Sequence, residues 1–356
     1  MSVQTTPSGR LAPDQTDRRS QFAALLRGDA SRPFLTSAWQ HFVGEEYDIS
    51  RYVTATVDFN RSWDWDWVKL NPRATYYSEA WGSVFDPEDY VGVVPRQLSP
   101  AITQVSDLAT IVPLDPRTNP ALAEQIEAAR LIREQLPDRA LIQTVFSPLS
   151  VLLQLAGLPL YPGAVVAGST TAFTHHDLLT TDPRLAHQAL EAIAETFAGY
   201  VRLLVAPVSE GGAGLDGIFY AVTGTASAGH FDRAGFDTYS RPYDTRVLDA
   251  VGDALVVLHT CRADSHPHWF ADYRHDALQW DQFQNGNPAL DADLGTTVVG
   301  GVFNELFAVG GDRDLVTAQL ERTLATAPAR PFLLAPSCTI PTPADPDSLQ
   351  RLRNAR

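Results

Sequence analysis

The stretch ALVVLHTC, residues 254–261, joins a short apolar strand directly to His259 and Cys261. Its five leading residues have the length and the branched side chains of a buried β-strand. The two polar residues then stand where that strand ends. Both the fold and the function therefore depend on how the other strands are arranged around this one.

Eight or nine such β-rich runs alternate with amphipathic helical stretches, each of which starts near an Asp or Asn that can cap it. No linker or change of composition divides them, which favours a single (β/α)8 TIM barrel over two domains. A doubly wound open sheet is the second choice, but no G-x-G-x-x-G follows an early strand. We predict a barrel over residues 31–356 and a flexible N-terminal arm over residues 1–30, with one short helix around SQFAALLRG.

Composition excludes several classes of protein. The net charge of −15 and a pI near 4.9 would repel nucleic acid and anionic membranes. No run approaches the roughly 18 apolar residues of a membrane span, and the first residues lack the apolar core of a signal peptide. We therefore expect a cytoplasmic protein, in which the two cysteines do not form a disulfide framework.

In a (β/α)8 barrel, residues at the carboxyl ends of the strands face the active site. Lys69 ends one such strand, and it is the only lysine among the 27 lysine and arginine residues. A lysine kept in so arginine-rich a chain suggests a need for its compact, tunable ammonium group. The polar residues that this rule selects are Lys69, Asn71, Ser147, Asp216, Tyr220, His259, Cys261, Asp281, Asn304 and Cys338.

Three of these residues form a candidate zinc site. Zinc prefers thiolate and imidazole ligands, and catalytic sites use three protein ligands and leave one position open. His259, Cys261 and Cys338 supply such a set at one face of the predicted barrel. Two other interpretations stay open: small buried cysteines beside a core histidine, or a Cys–His nucleophile pair, which would leave Cys338 without a purpose.

Several segments resemble the uroporphyrinogen decarboxylase superfamily. They are VKLNPRATYYSEAWG, VFSPLSVLLQLAG, ALVVLHTC and PFLLAPSCTIPTPADPDSLQRL, and the similarity extends from about Arg32 to the end of the sequence. This resemblance implies a (β/α)8 barrel with its active site at the carboxyl ends of the strands. The superfamily contains porphyrinogen decarboxylases and corrinoid-dependent methyltransferases.

The residues differ from the decarboxylase branch at three functional places. Its paired-arginine segment is replaced by SAWQHFVGEEYD, which has Gln40 and His41 in those positions. The strand that should end in an aspartate ends in VKLNP, and APSCTI stands in place of N-L-G-H-G. These departures count against a porphyrinogen substrate.

The methyltransferase branch is similar at His259, Cys261 and Cys338, which match its H-x-C motif and its late cysteine. Its usual glycine after the first cysteine is Arg262 here. The resemblance implies a Zn²⁺-dependent transfer of a methyl group between a corrinoid on a partner protein and a thiol. Lys69 and Asn71 would then anchor the acceptor, and Asp216 would orient a zinc ligand. The alternatives are a decarboxylase of another carboxylated substrate, using Lys69, Arg73 or Arg262, and a non-catalytic corrinoid or tetrapyrrole-binding protein.

Overall fold

The computed structural model describes residues 17–30, 32–326 and 331–356 of the chain. Eight parallel strands form a nearly closed barrel with helices between them, which confirms the predicted α/β TIM-barrel fold. In barrel order the strands are β1 (Phe34–Thr36), β10 (Phe332–Pro336), β9 (Thr297–Val302), β8 (Ala277–Gln279), β7 (Leu255–Thr260), β6 (Gly217–Thr223), β5 (Ala140–Phe146) and β2 (Trp67–Leu70).

Alternate residues of each strand face opposite sides of the sheet. On β7, Leu255 and Val257 belong to the apolar cluster inside the barrel, whereas Val256 and Leu258 pack against the helices. The same alternation brings His259 to the inner face. Strand β7 therefore directs His259 into the barrel, because His259 is in phase with Leu255 and Val257.

The helices surround the barrel and cover its outer apolar face. The helices are α1 (Arg18–Leu26), α2 (Ile49–Trp63), α3 (Tyr76–Glu79), α4 (Pro120–Gln135), α5 (Pro148–Leu155), α6 (His175–Thr180), α7 (Pro183–Val205), α8 (Arg233–Tyr239), α9 (Arg241–Asp249), α10 (Arg313–Ala325) and α11 (Pro346–Asn354). No helix in the described part of the chain combines the length and the apolar character that a membrane crossing requires.

The barrel has one seam, between β1 and β2, which are not paired as a ladder. Side chains bridge it. The Asp66 carboxylate accepts hydrogen bonds from the backbone N–H and the hydroxyl of Thr36, at 2.8 and 3.0 Å. The Ser37 hydroxyl donates to the Trp67 carbonyl at 2.7 Å.

One of the β-rich runs counted in the sequence lies outside the barrel. The run YVGVVP (residues 90–95) is the turn region of an antiparallel hairpin formed by β3 (Val84–Val91) and β4 (Val94–Ser99). Its Gly92 has a φ of +66°, which suits the reversal between the two strands. The hairpin lies at the carboxyl end of the barrel, where residues 91–95 line its cavity.

The predicted arm over residues 1–30 falls partly outside the described residues, which begin at residue 17. The short helix expected there is α1, and its Phe22 and Leu25 are buried. The Phe22 ring lies 5.3 Å from the ring of Trp67, which belongs to the interior cluster. Helix α1 therefore packs against the barrel interior, and the flexibility of the arm stays a prediction.

Candidate metal centre

The three residues of the predicted zinc site converge at the carboxyl end of the barrel. His259 lies near the end of β7, Cys261 follows that strand, and Cys338 follows β10. The two sulfur atoms are 3.7 Å apart, and the ligand atoms of all three residues lie within 4.8 Å of one another. Cys261 and Cys338 are therefore neighbours in space although they are 77 residues apart in the sequence.

This arrangement fits a zinc ion on two grounds. Two sulfurs each about 2.3 Å from a tetrahedral zinc would lie roughly 3.8 Å apart, close to the observed separation. The Nδ1 atom of His259 is buried and has no hydrogen-bond partner among the described residues. A metal site with three ligands also gives Cys338 a role, whereas a Cys–His nucleophile pair would not use it.

The electrostatics of the two thiols differ. The pKa of Cys338 is held well below its ordinary value, chiefly by a hydrogen bond from Cys261 and then by one from His259. These two hydrogen bonds therefore favour the thiolate form of Cys338. A thiolate at this place is the form that binds a metal.

Hydrogen bonds from the end of β6 and the segment after it hold the backbone of Cys261 in place. The Cys261 N–H donates to the Thr223 carbonyl at 3.1 Å, and its own carbonyl accepts from the Ser227 hydroxyl at 3.1 Å. Arg262 next to it has a φ of +71°, in the left-handed region that side chains rarely adopt. The Asn287 amide donates to the Arg262 carbonyl at 2.8 Å, which anchors the turn.

Lys69 and Asn71 lie together in the barrel. The Lys69 ammonium donates to the Asn71 side-chain carbonyl at 2.7 Å and lies 4.4 Å from the ring centre of Phe219. That ring is 5.2 Å from the ring of His259, so the lysine is close to the candidate metal centre. Lys69 is only 6% exposed, and this burial lowers its pKa from 10.5 to about 7.

A cavity of about 640 Å³ connects these groups, a size typical of small-molecule sites. His259 and the two cysteines lie on the wall of this cavity. Lys69 of β2 and Asn71, which follows that strand, lie there too. Residues 91–95 of the hairpin and residues 158–161 and 164–167 of the loop after α5 also line it. The candidate metal centre thus opens into a space large enough for a substrate.

The structure corrects the position predicted for Asp216. This residue precedes β6 and lies at the amino-terminal end of the barrel, opposite the cavity. Its carboxylate accepts from the Leu141 N–H at 2.8 Å and pairs with Arg133 at 3.3 Å and with Arg19. Asp216 lies directly before the first residue of β6, whereas a residue that faces the cavity would follow the last one, so Asp216 cannot orient a ligand of the candidate metal centre.

Tyr220 is also displaced from the predicted site. Its position in β6 faces outward, where its hydroxyl donates to the Asp244 carboxylate of α9 at 2.6 Å. Arg73, a candidate cation for decarboxylation, is buried and forms ion pairs with Glu79 and Glu124. It does not line the cavity, whereas Asp281 and Asn304 do.

Tyr161 is a residue of the site that the sequence did not indicate. It lies in the irregular loop between α5 and α6, where the sequence has no periodicity that would indicate a half-buried side chain. Its hydroxyl interacts with the Cys261 sulfur, and burial raises its pKa well above the ordinary value. The guanidinium of Arg262 lies 5.1 Å from the centre of its ring.

Comparisons with known proteins agree with this architecture. Residues 46–356 match the family model described as uroporphyrinogen decarboxylase (URO-D). The solved structure of a "methyltransferase from Methanosarcina mazei" is similar, with a TM-score of 0.74 and 18% sequence identity, covering 96% of this chain and 98% of that chain. No curated protein sequence matches the chain. At this identity the structural likeness concerns the barrel fold.

Proposed function

The chain belongs to the uroporphyrinogen decarboxylase family, and we propose that it is a zinc-dependent methyltransferase acting between a corrinoid on a partner protein and a thiol. The observation that carries this proposal is the convergence of His259, Cys261 and Cys338 at the cavity. A porphyrinogen decarboxylase has no evident use for two neighbouring cysteines and a histidine. The low pKa of Cys338 adds a ready metal ligand.

His259, Cys261 and Cys338 would hold the ion through one nitrogen and two sulfurs. Zinc, when bound, lowers the pKa of a substrate thiol and makes a thiolate nucleophile available near neutral pH. The Asn71 carbonyl orients the Lys69 ammonium by the 2.7 Å hydrogen bond. Lys69, itself buried, would bind a polar or anionic group of the acceptor at the wall of the cavity.

A decarboxylase acting on another acid is the second candidate. The buried Lys69 favours it, because an unpaired cation can stabilise negative charge that develops as CO2 leaves. Arg73, another cation expected to assist decarboxylation, is neutralised by its ion pairs with Glu79 and Glu124. We therefore place methyl transfer first.

The decisive experiment is metal analysis of protein purified without chelator. We expect about one zinc per chain, and we expect Cys261→Ala, Cys338→Ala and His259→Ala each to abolish zinc binding and methyl transfer from methylcobalamin to a thiol. His268→Ala is the matched control, since this exposed histidine lies in the same loop outside the trio. Full activity of the metal-free protein would overturn the proposal. Release of CO2 from a carboxylated substrate without metal would establish the second candidate instead.

A further inference from the structure

Lys69 presents a primary amine to the cavity in surroundings that are unusual for a lysine. Its side chain is buried and forms part of the cavity wall. The Nζ atom lies 4.4 Å from the ring centre of Phe219 and 5.3 Å from that of Trp39, and both of these residues are buried as well. The amine is therefore reached from the cavity and from no other side that the two rings cover.

The groups around the amine do little to keep it charged. Within residues 17–30, 32–326 and 331–356 no carboxylate forms an ion pair with Lys69, and its hydrogen bond goes to the neutral side-chain oxygen of Asn71 at 2.7 Å. Burial lowers its pKa to about 7, against the weaker attraction of the Cys338 and Cys261 sulfurs. A large share of the side chain is therefore an uncharged amine at neutral pH, which is the nucleophilic form of lysine.

Asn71 supplies a second group beside the amine. Its side-chain oxygen accepts hydrogen bonds from Lys69 and, at 3.3 Å, from the Thr144 hydroxyl, and these contacts set the orientation of the amide. Its Nδ2 atom is buried and has no hydrogen-bond partner among the described residues. A buried N–H group without an acceptor costs free energy. Because Asn71 lines the cavity, an oxygen atom of a bound molecule can be that acceptor.

We propose that Lys69 forms an imine with an aldehyde or ketone that enters the cavity, while the Asn71 amide N–H binds the carbonyl oxygen. The uncharged amine attacks the carbonyl carbon, a C–N bond forms, and one amine proton passes to the oxygen. That oxygen then leaves as water with the second amine proton, and a C=N bond remains. Arginine cannot replace lysine in this step, because its guanidinium stays protonated. The proposal thus accounts for the single lysine of an arginine-rich chain.

Acetylacetone is the probe, because its imine with a lysine rearranges to a conjugated enaminone that absorbs in the near ultraviolet. We expect one enaminone per chain near neutral pH, located at Lys69 by mass spectrometry of peptides, and none at that position in Lys69→Arg. The matched control combines Lys69→Arg with Arg322→Lys, which moves the lysine to the exposed face of α10. The unchanged protein should react at least roughly tenfold faster than this control, since more of its amine is uncharged.

Asn71→Ala should slow enaminone formation by roughly tenfold to a hundredfold, because the N–H group that binds the carbonyl oxygen is lost. Absence of the enaminone at Lys69 in the unchanged protein, or a rate no higher than that of the lysine on α10, would overturn the proposal. The reaction uses no metal, so it should persist after zinc is removed by a chelator. Enaminone formation in a protein that binds no zinc would refute the proposed function alone, and zinc binding without enaminone would refute this inference alone.

Discussion

Replacing Lys69 by methionine should make the protein more stable at neutral pH. Lys69 is 6% exposed, and its ammonium has one hydrogen-bond acceptor, Asn71, and two aromatic neighbours. Methionine has a similar length and adapts to irregular apolar space. The substitution therefore removes a buried charge and leaves little empty volume.

The size of the effect follows from the pKa of Lys69, which is about 7 in the folded protein and 10.5 ordinarily. Between these values the unfolded chain binds more protons than the folded one, so the stability of the unchanged protein rises with pH. The penalty for the buried charge is complete below pH 7 and disappears above pH 10.5. The variant should thus be more stable by about 4 kcal/mol at pH 7 and by about 2 kcal/mol at pH 9.

Urea unfolding at these two pH values measures the difference, with equal metal content in both proteins. Arg322→Met, on the exposed face of α10, is the control and should change stability by less than about 0.5 kcal/mol at either pH. A Lys69→Met protein that is less stable than the unchanged one, or whose advantage does not decrease between pH 7 and pH 9, would refute the reasoning. The variant should also bind an anionic thiol less well if Lys69 anchors it.

Two further substitutions test the opposite end of the barrel. Asp216→Ala should destabilise the protein by about 2–4 kcal/mol in urea, since it leaves the Leu141 N–H without its acceptor and the buried Arg133 without its carboxylate partner; loss of zinc in this variant would contradict the corrected position. Phe22→Ala should cost about 3–5 kcal/mol by thermal unfolding, since the ring is fully buried against Trp67. A change below about 1 kcal/mol would show that α1 is not a part of the folded barrel.

The fold could be predicted because alternation of strands and capped helices is a local property of the sequence. The convergence of His259, Cys261 and Cys338 followed from it, since strand ends of a barrel share one face. Asp216 and Tyr220 could not be placed in this way. Their positions depend on where β6 begins and which face each residue takes, and a shift of one residue reverses the face. Tyr161 lies in an irregular loop, and such a loop has no hydrophobic periodicity from which the position of a side chain could be predicted.

The pairing of β1 with β10 has a consequence for the order in which the protein matures. Cys338 follows β10, so the third residue of the proposed metal site reaches His259 and Cys261 only after the last strand has docked beside the first. A nascent chain that has folded through β9 presents at most two of the three ligands. We therefore expect metal insertion to be a late event of biosynthesis that reports on completion of the barrel.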